Sequence, residues 1–302
     1  MLNSLLDPIL PIFALLAVGY VVFRGGMFDL AMAQAINKFV FFVATPALGF
    51  LIIANAPVEQ LEFPALAVYF CAQMIVYAGT AFIMRRFFHR DRGESLLLGM
   101  TVAFVNHVFF ILPIAERLYG DAATIPIAGI VLVDGVIVFC ASVIAVELLQ
   151  AENLSPLKVT RILLTNPFVI ATSLGILTWY IRPVVPDGLF TYAEFAGGAA
   201  APAALFALGI VLASRSIFPL DGATLVVVLM KLVLHPALVL ALAASVTLSP
   251  NWKDTVLLVA AGPCGAMPFV IAMQYGIRTE TIAKAVLIST LASVFSLSFL
   301  TG

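Results

Sequence analysis

Charge is scarce in this chain. Only 10% of its 302 residues are Asp, Glu, Lys or Arg, against about 25% in a soluble globular domain. That is too little charge to cover a water-facing surface, so the solvent around most of the chain is lipid. Basic runs are absent, and the formal net charge is −1, so nucleic acid is not expected as a partner. Cysteine is limited to Cys71, Cys140 and Cys264, each inside an apolar stretch and none at metal-ligand or disulfide spacing. They read as small core hydrophobes. His89, His107 and His235 are equally dispersed, so neither a metal site nor a cofactor is expected. No HExxH, GxSxG or GxxxxGK[ST] pattern occurs, and an enzyme or a nucleotide-driven pump is therefore not expected. The opening Met-Leu-Asn-Ser-Leu-Leu-Asp-Pro lacks the basic start of a signal peptide, which makes the first apolar stretch a retained one.

What fills the chain is hydrocarbon: 63% of the residues are hydrophobic and the mean hydropathy is +1.14. A spanning helix takes ~20 mostly apolar residues. Ten such stretches can be placed, at 5–23, 34–53, 63–84, 95–115, 122–149, 161–181, 190–213, 222–247, 255–274 and 282–300. Short connections leave room for one all-α polytopic membrane domain over 1–302. The loops after odd-numbered spans hold Arg24, Arg85, Arg86, Arg90, Arg92, Lys158, Arg161, Arg215 and Arg278, and those after even-numbered spans hold Arg117, Arg182 and Lys253. Nine against three puts the odd loops in the cytoplasm and both termini outside.

Two apolar stretches, 103–115 and 260–272, carry proline at comparable places: Asn106-His107-Val108-Phe109-Phe110-Ile111-Leu112-Pro113 in one, Pro263-Cys264-Gly265-Ala266-Met267-Pro268 in the other. Proline removes a donor and clashes with the preceding turn. An opened helix is tolerated in hydrocarbon only where protein or a wet cavity satisfies the freed backbone. Paired interruptions in two halves point to a transporter's binding site. The halves echo each other elsewhere too. Thr45-Pro46-Ala47-Leu48 matches Ala201-Pro202-Ala203-Ala204-Leu205, and Leu118-Tyr119-Gly120 matches Gln274-Tyr275-Gly276. Two units of five spans, 1–150 and 151–302, must enter the membrane from opposite sides, so they form inverted repeats.

On these residues the chain resembles the auxin efflux carrier family, in its prokaryotic branch. The match runs along essentially the whole chain. It includes Ile36-Asn37-Lys38-Phe39-Val40 leading to Thr45-Pro46, the break from Asn106 to Pro113, the break from Pro263 to Tyr275-Gly276, and Ile288-Ser289-Thr290-Leu291. The resemblance implies ten helices with broken fourth and ninth helices that cross. It also implies a scaffold of spans 1, 2, 6 and 7 that forms a homodimer, and a mobile transport domain of the other six. It implies a bacterial inner-membrane carrier of organic anions such as malonate, malate or auxin-like acids. The chain departs from the family pattern at Val108 and Ile111, where glycines are usual, and at Met267, where asparagine is usual, with Pro268 as an extra breaker. These departures make the site more apolar and less symmetric.

Asn106 opens the first break, where its amide either holds a substrate carboxylate or caps freed backbone. His107 either faces the cavity or packs as an interhelical donor. Pro113, Pro263, Met267 and Pro268 complete the expected substrate site. Asp134 and Lys231 sit mid-span, where an ionisable group is costly and usually has a partner. They are expected to pair and to carry or support a coupling proton, with a structural ion pair as the alternative. Gln73 and Thr290 are either interhelical hydrogen-bond residues or cavity lining. Asp7, Glu147, Glu194 and the loop His89-Arg90-Asp91-Arg92-Gly93-Glu94 are read as solvated ends. A secondary transporter is the leading expectation, with a sodium-coupled carrier like the bile-acid symporters, a channel or a sensor as alternatives.

Overall fold

The computed structural model describes residues 2–151, 160–161, 164–214 and 220–301. Lys158 and Arg215, which enter the count of basic loop residues, lie outside them. Among the described residues the chain is helical, and the one β-type pairing is an isolated bridge. The helices are α1 (Leu2–Arg24), α2 (Leu30–Ala54), α3 (Phe63–Arg86), α4 (Arg92–Ala103), α5 (Leu112–Tyr119), α6 (Thr124–Gln150), α7 (Pro167–Val184), α8 (Asp187–Ala213), α9 (Gly222–Ala243), α10 (Pro250–Ala261), α11 (Met267–Gln274) and α12 (Glu280–Thr301). Six of them, α2, α3, α6, α7, α8 and α9, are long and apolar enough to cross a bilayer uninterrupted. α4 and α5 belong to one apolar stretch opened at 104–106, and α10 and α11 to another opened at 262–266.

Helix starts follow local chemistry. Asp29, Asp91, Asn166 and Asp221 stand just before α2, α4, α7 and α9, and each side chain accepts a first-turn amide hydrogen. A polar side chain there satisfies donors that have no intrahelical partner. Four turns have π geometry: Val40–Ala44, His107–Ile111, Asp134–Phe139 and Met230–Leu234. Pro46, Pro113 and Pro236 each follow one of them by two residues. A proline ring pushes on the carbonyl four residues back, and a widened turn relieves it. The turn at Asp134 has no such proline.

The prolines therefore act differently from the sequence expectation. Only Pro263 stands inside an opening. Pro113 follows the π turn His107–Ile111 without a break in the helix, whereas Pro268 lies in the first turn of α11, where a missing N–H costs nothing. Pro268 is thus a helix starter rather than an extra breaker.

Glycine brings some backbones together. A Cβ added to Gly19 of α1 would fall 2.2 Å from the Phe206 carbonyl oxygen of α8, and one on Gly209 the same distance from that of Leu16. Two expected solvated ends are also structured. Glu94 is 1% exposed and pairs with Arg90 at 3.2 Å. Glu147 at the end of α6 accepts hydrogen bonds from Asn166 at 3.2 Å and from the Tyr275 hydroxyl. Burial pushes the Tyr275 hydroxyl above its ordinary pKa and the Glu147 carboxylate adds to it, so the phenol is the donor.

Candidate functional site

The two openings meet. Val105 and Cys264 form an antiparallel bridge, in which the Asn106 amide donates to the Pro263 carbonyl at 3.3 Å and the Gly265 amide to the Phe104 carbonyl at 2.8 Å. The Cys264 amide donates to Ser289 Oγ of α12 at 3.1 Å. Backbone groups freed by the interruptions thus satisfy one another, as a non-aqueous interior demands. Gly262 and Gly265 permit the approach: a Cβ on the first would meet Ile111 at 2.5 Å, and one on the second the Val105 carbonyl oxygen at 3.0 Å.

Each helix that ends at an opening has a carbonyl capped by a long polar side chain from a neighbouring helix. Gln73 of α3 donates to the Ala103 carbonyl at the end of α4, at 3.1 Å. Lys231 of α9 donates to the Ala260 carbonyl near the end of α10, also at 3.1 Å. The C-terminal end of a helix carries about half a negative charge, so an amine is well placed there.

Beside the bridge lies a cavity of about 100 Å³. Its walls are mostly apolar, with Ile52, Phe104, Phe139, Phe168 and Leu205 among them, and its polar side chains are Thr45, Asn106 and His107. Met267 also lines it and receives the Thr45 hydroxyl at 3.8 Å from sulfur. Ala266 and Met267 bring the N-terminus of α11 to the wall; Pro268 carries no amide hydrogen there, and the Phe269 and Val270 amides donate to the Ala266 carbonyl.

Behind the cavity, His107 and Asp134 are both buried. His107 Nε2 lies 3.0 Å from Asp134 Oδ2, without the alignment of a hydrogen bond. Gln73 Nε2 donates to Asp134 Oδ1 at 2.6 Å. Lys231 is fully buried, with its amine 2.9 Å from His235 Nδ1, and the Tyr69 ring packs against the His235 ring. His107, Asp134 and Lys231 all occur in π turns, which recur at functional sites because they turn side chains away from the regular helix register.

The expected site is therefore brought together only in part. Asn106, His107 and Met267 line the cavity, whereas Pro113, Pro263 and Pro268 are absent from its wall. Asp134 and Lys231 do not form the expected ion pair; they belong to separate clusters, one around His107 and Gln73, the other around His235 and Ala260. Thr290 bonds the Val286 carbonyl of its own helix at 2.7 Å, and it is the adjacent Ser289 that reaches the opening. Sequence reasoning passed over Thr45, Gly265 and Ser289 as site residues. The signal for Thr45 was there in its Thr-Pro pair, and that for Gly265 in its place between Pro263 and Pro268.

Two interrupted helices whose openings meet beside a cavity with few polar groups point to a membrane transport family. The chain belongs to that family, whose model, described as membrane transport protein, matches residues 4–301. This is the auxin efflux carrier family. Among its relatives, a protein of Rhizobium meliloti (strain 1021) provisionally named a malonate transporter is 29% identical over 292 residues, spanning 95% of this chain and 91% of its own. Auxin efflux carrier component 8 of Arabidopsis thaliana is 24% identical over 346 residues, spanning 94% and 93%. The uncharacterized transporter YfdV of Escherichia coli (strain K12) is 23% identical over 309 residues, spanning 97% and 96%. Among solved structures, the sodium proton antiporter MjNhaP1 from Methanocaldococcus jannaschii at pH 8 superposes with a TM-score of 0.61 at 15% identity, over 96% of this chain and 92% of that one. At that identity the likeness shows the fold alone. The chain is a transporter rather than an enzyme.

Proposed function

We propose that this protein is a secondary transporter that carries a small organic anion, a carboxylate of the malonate, malate or auxin-like kind, by alternating access. The observation that carries the reading is the bridge of Val105 with Cys264 beside a cavity whose polar side chains are Thr45, Asn106 and His107. The Asn106 side-chain amide and the His107 imidazole suit a carboxylate, and the aromatic and aliphatic walls suit a compact apolar body.

Counting α4 with α5 and α10 with α11 as single spans gives ten, in two inverted units of five. Contacts that recur at one constant sequence offset support this reading. Gly19 against the Phe206 carbonyl corresponds to Gly175 against the Phe50 carbonyl. The bridge supports it too, because a two-fold axis through Val105 and Cys264 exchanges its two hydrogen bonds. In this arrangement α1, α2, α7 and α8 form a scaffold that dimerises, and the remaining helices form the moving domain. The chain lies in a bacterial inner membrane with both termini outside.

The deciding experiment is uptake of labelled malonate and malate into proteoliposomes, with and without the same acid trapped inside. Counterflow that is lost in Asn106→Ala, in protein that still folds, is the expected result. Flux without counterflow makes the protein a channel, and a strict need for external sodium makes it a sodium symporter. No flux of any carboxylate refutes the reading.

A further inference from the structure

We infer that His107 and Asp134 form a proton-binding pair that ties anion binding in the cavity to uptake of one proton. The inference rests on the anion-carrier reading above and adds the coupling ion and the groups that hold it. Among the residues lining the cavity, His107 is the ionisable one. Its ring has the cavity on one side and a fully buried carboxylate on the other, with Nε2 3.0 Å from Asp134 Oδ2.

The surroundings leave that carboxylate with no fixed positive partner. From α3, Gln73 presents a neutral amide to Asp134 Oδ1, and Tyr69 is a nearby phenol whose hydroxyl has no partner. From α9, Lys231 is near enough to feel Asp134, but its amine is committed to His235 Nδ1 and the Ala260 carbonyl. His235 stands behind Lys231, and Cys264 lies beside it on the second opening. From α7, the neighbouring Phe168 ring is apolar. No ion pair other than His107 reaches Asp134 within 4.0 Å among the described residues. Within that distance, a proton on the pair is what neutralises the carboxylate.

A carboxylate entering the cavity brings a second negative charge into the same dry region, where charges interact strongly. The occupied site therefore holds the proton more tightly than the empty one. By linkage, the proton must strengthen anion binding by the same factor. The proton enters from water in the open cavity and leaves with the substrate on the opposite side. No bond other than that to the proton forms or breaks.

The test is the affinity of purified protein for malate between about pH 6.5 and 8.5, where the acid stays a dianion. In the wild type, affinity is expected to fall as pH rises, by up to about tenfold per pH unit for one linked proton. Asp134→Asn keeps an acceptor for Gln73 and is expected to bind malate with no pH slope. His107→Gln, which keeps a donor, is expected to lose the slope as well, so either variant suffices if the other fails to fold. A wild type that binds malate with equal affinity across the range overturns the inference and leaves the carrier reading standing. A slope that survives both substitutions also overturns it. A wild type that binds neither malate nor malonate at any pH overturns the carrier reading itself, and the inference with it.

Discussion

Gln73→Leu removes the side chain that holds both Asp134 and the end of α4. Its amide donates to the Asp134 carboxylate at 2.6 Å and to the Ala103 carbonyl at 3.1 Å. Hydrogen bonds to charged groups contribute about 1.5–3 kcal/mol, while ordinary interhelical ones in membrane proteins average about 0.6 kcal/mol. Leucine is close in volume, so little cavity cost is added. The expected loss is about 2–4 kcal/mol, read by chemical unfolding in detergent. A double-mutant cycle isolates its source. In an Asp134→Leu background the charged acceptor is gone, so the same substitution should cost only about 1 kcal/mol. A Gln73→Leu protein within about 0.5 kcal/mol of wild type would refute the reasoning, as would an equal cost in both backgrounds.

Other perturbations test other parts of the structure. Gly19→Ala or Gly209→Ala forces α1 and α8 apart and should cost about 1–3 kcal/mol, less up to about 1 kcal/mol for alanine's better helix propensity. Because one separation serves both methyl groups, the double variant should cost clearly less than the sum in the same unfolding assay. Lys231→Met keeps the volume but removes the amine at the end of α10. It should cost about 1–3 kcal/mol, because the Ala260 carbonyl and His235 Nδ1 lose their buried donor. It should slow uptake at least about tenfold, equivalent to about 1.4 kcal/mol, and uptake within twofold of wild type argues against a role for the amine.

Much of this architecture could be read from proline. The positions of Pro113 and Pro263 place both interruptions in the right stretches, and Asn106, His107 and Met267 follow from reading the residues beside them. Pro113 and Pro268 mislocate the openings, however, for a directional reason. A proline ring strains the turn before it and not the one after it, so Pro113 leaves a widened turn at His107–Ile111 with the opening further back, at 104–106. Pro268 looks like a second insult to the same helix, yet as a first-turn residue it gives up an amide that would have no partner anyway. Sequence order alone does not say whether a proline starts a helix or ends one. The backbone partner across the crossing decides that.

The failed pairing of Asp134 with Lys231 has a deeper cause. A count of side-chain charges finds one buried anion and one buried cation and joins them. It omits the charges that interruption creates, since a helix cut mid-membrane exposes a negative carbonyl end and a positive amide end worth about half a charge each. Lys231 meets His235 on its own helix and donates to the negative end of α10 through Ala260, so one of its two partners is backbone and has no letter in the sequence. Asp134 is thereby left to side chains that reach it from the first break and from α3. Those are His107 and Gln73, residues 27 and 61 positions away, with the second distance far beyond any helical periodicity. With Lys231 held at the end of α10, Asp134 is left beside His107 and Gln73, and the proposed proton pair rests on that separation.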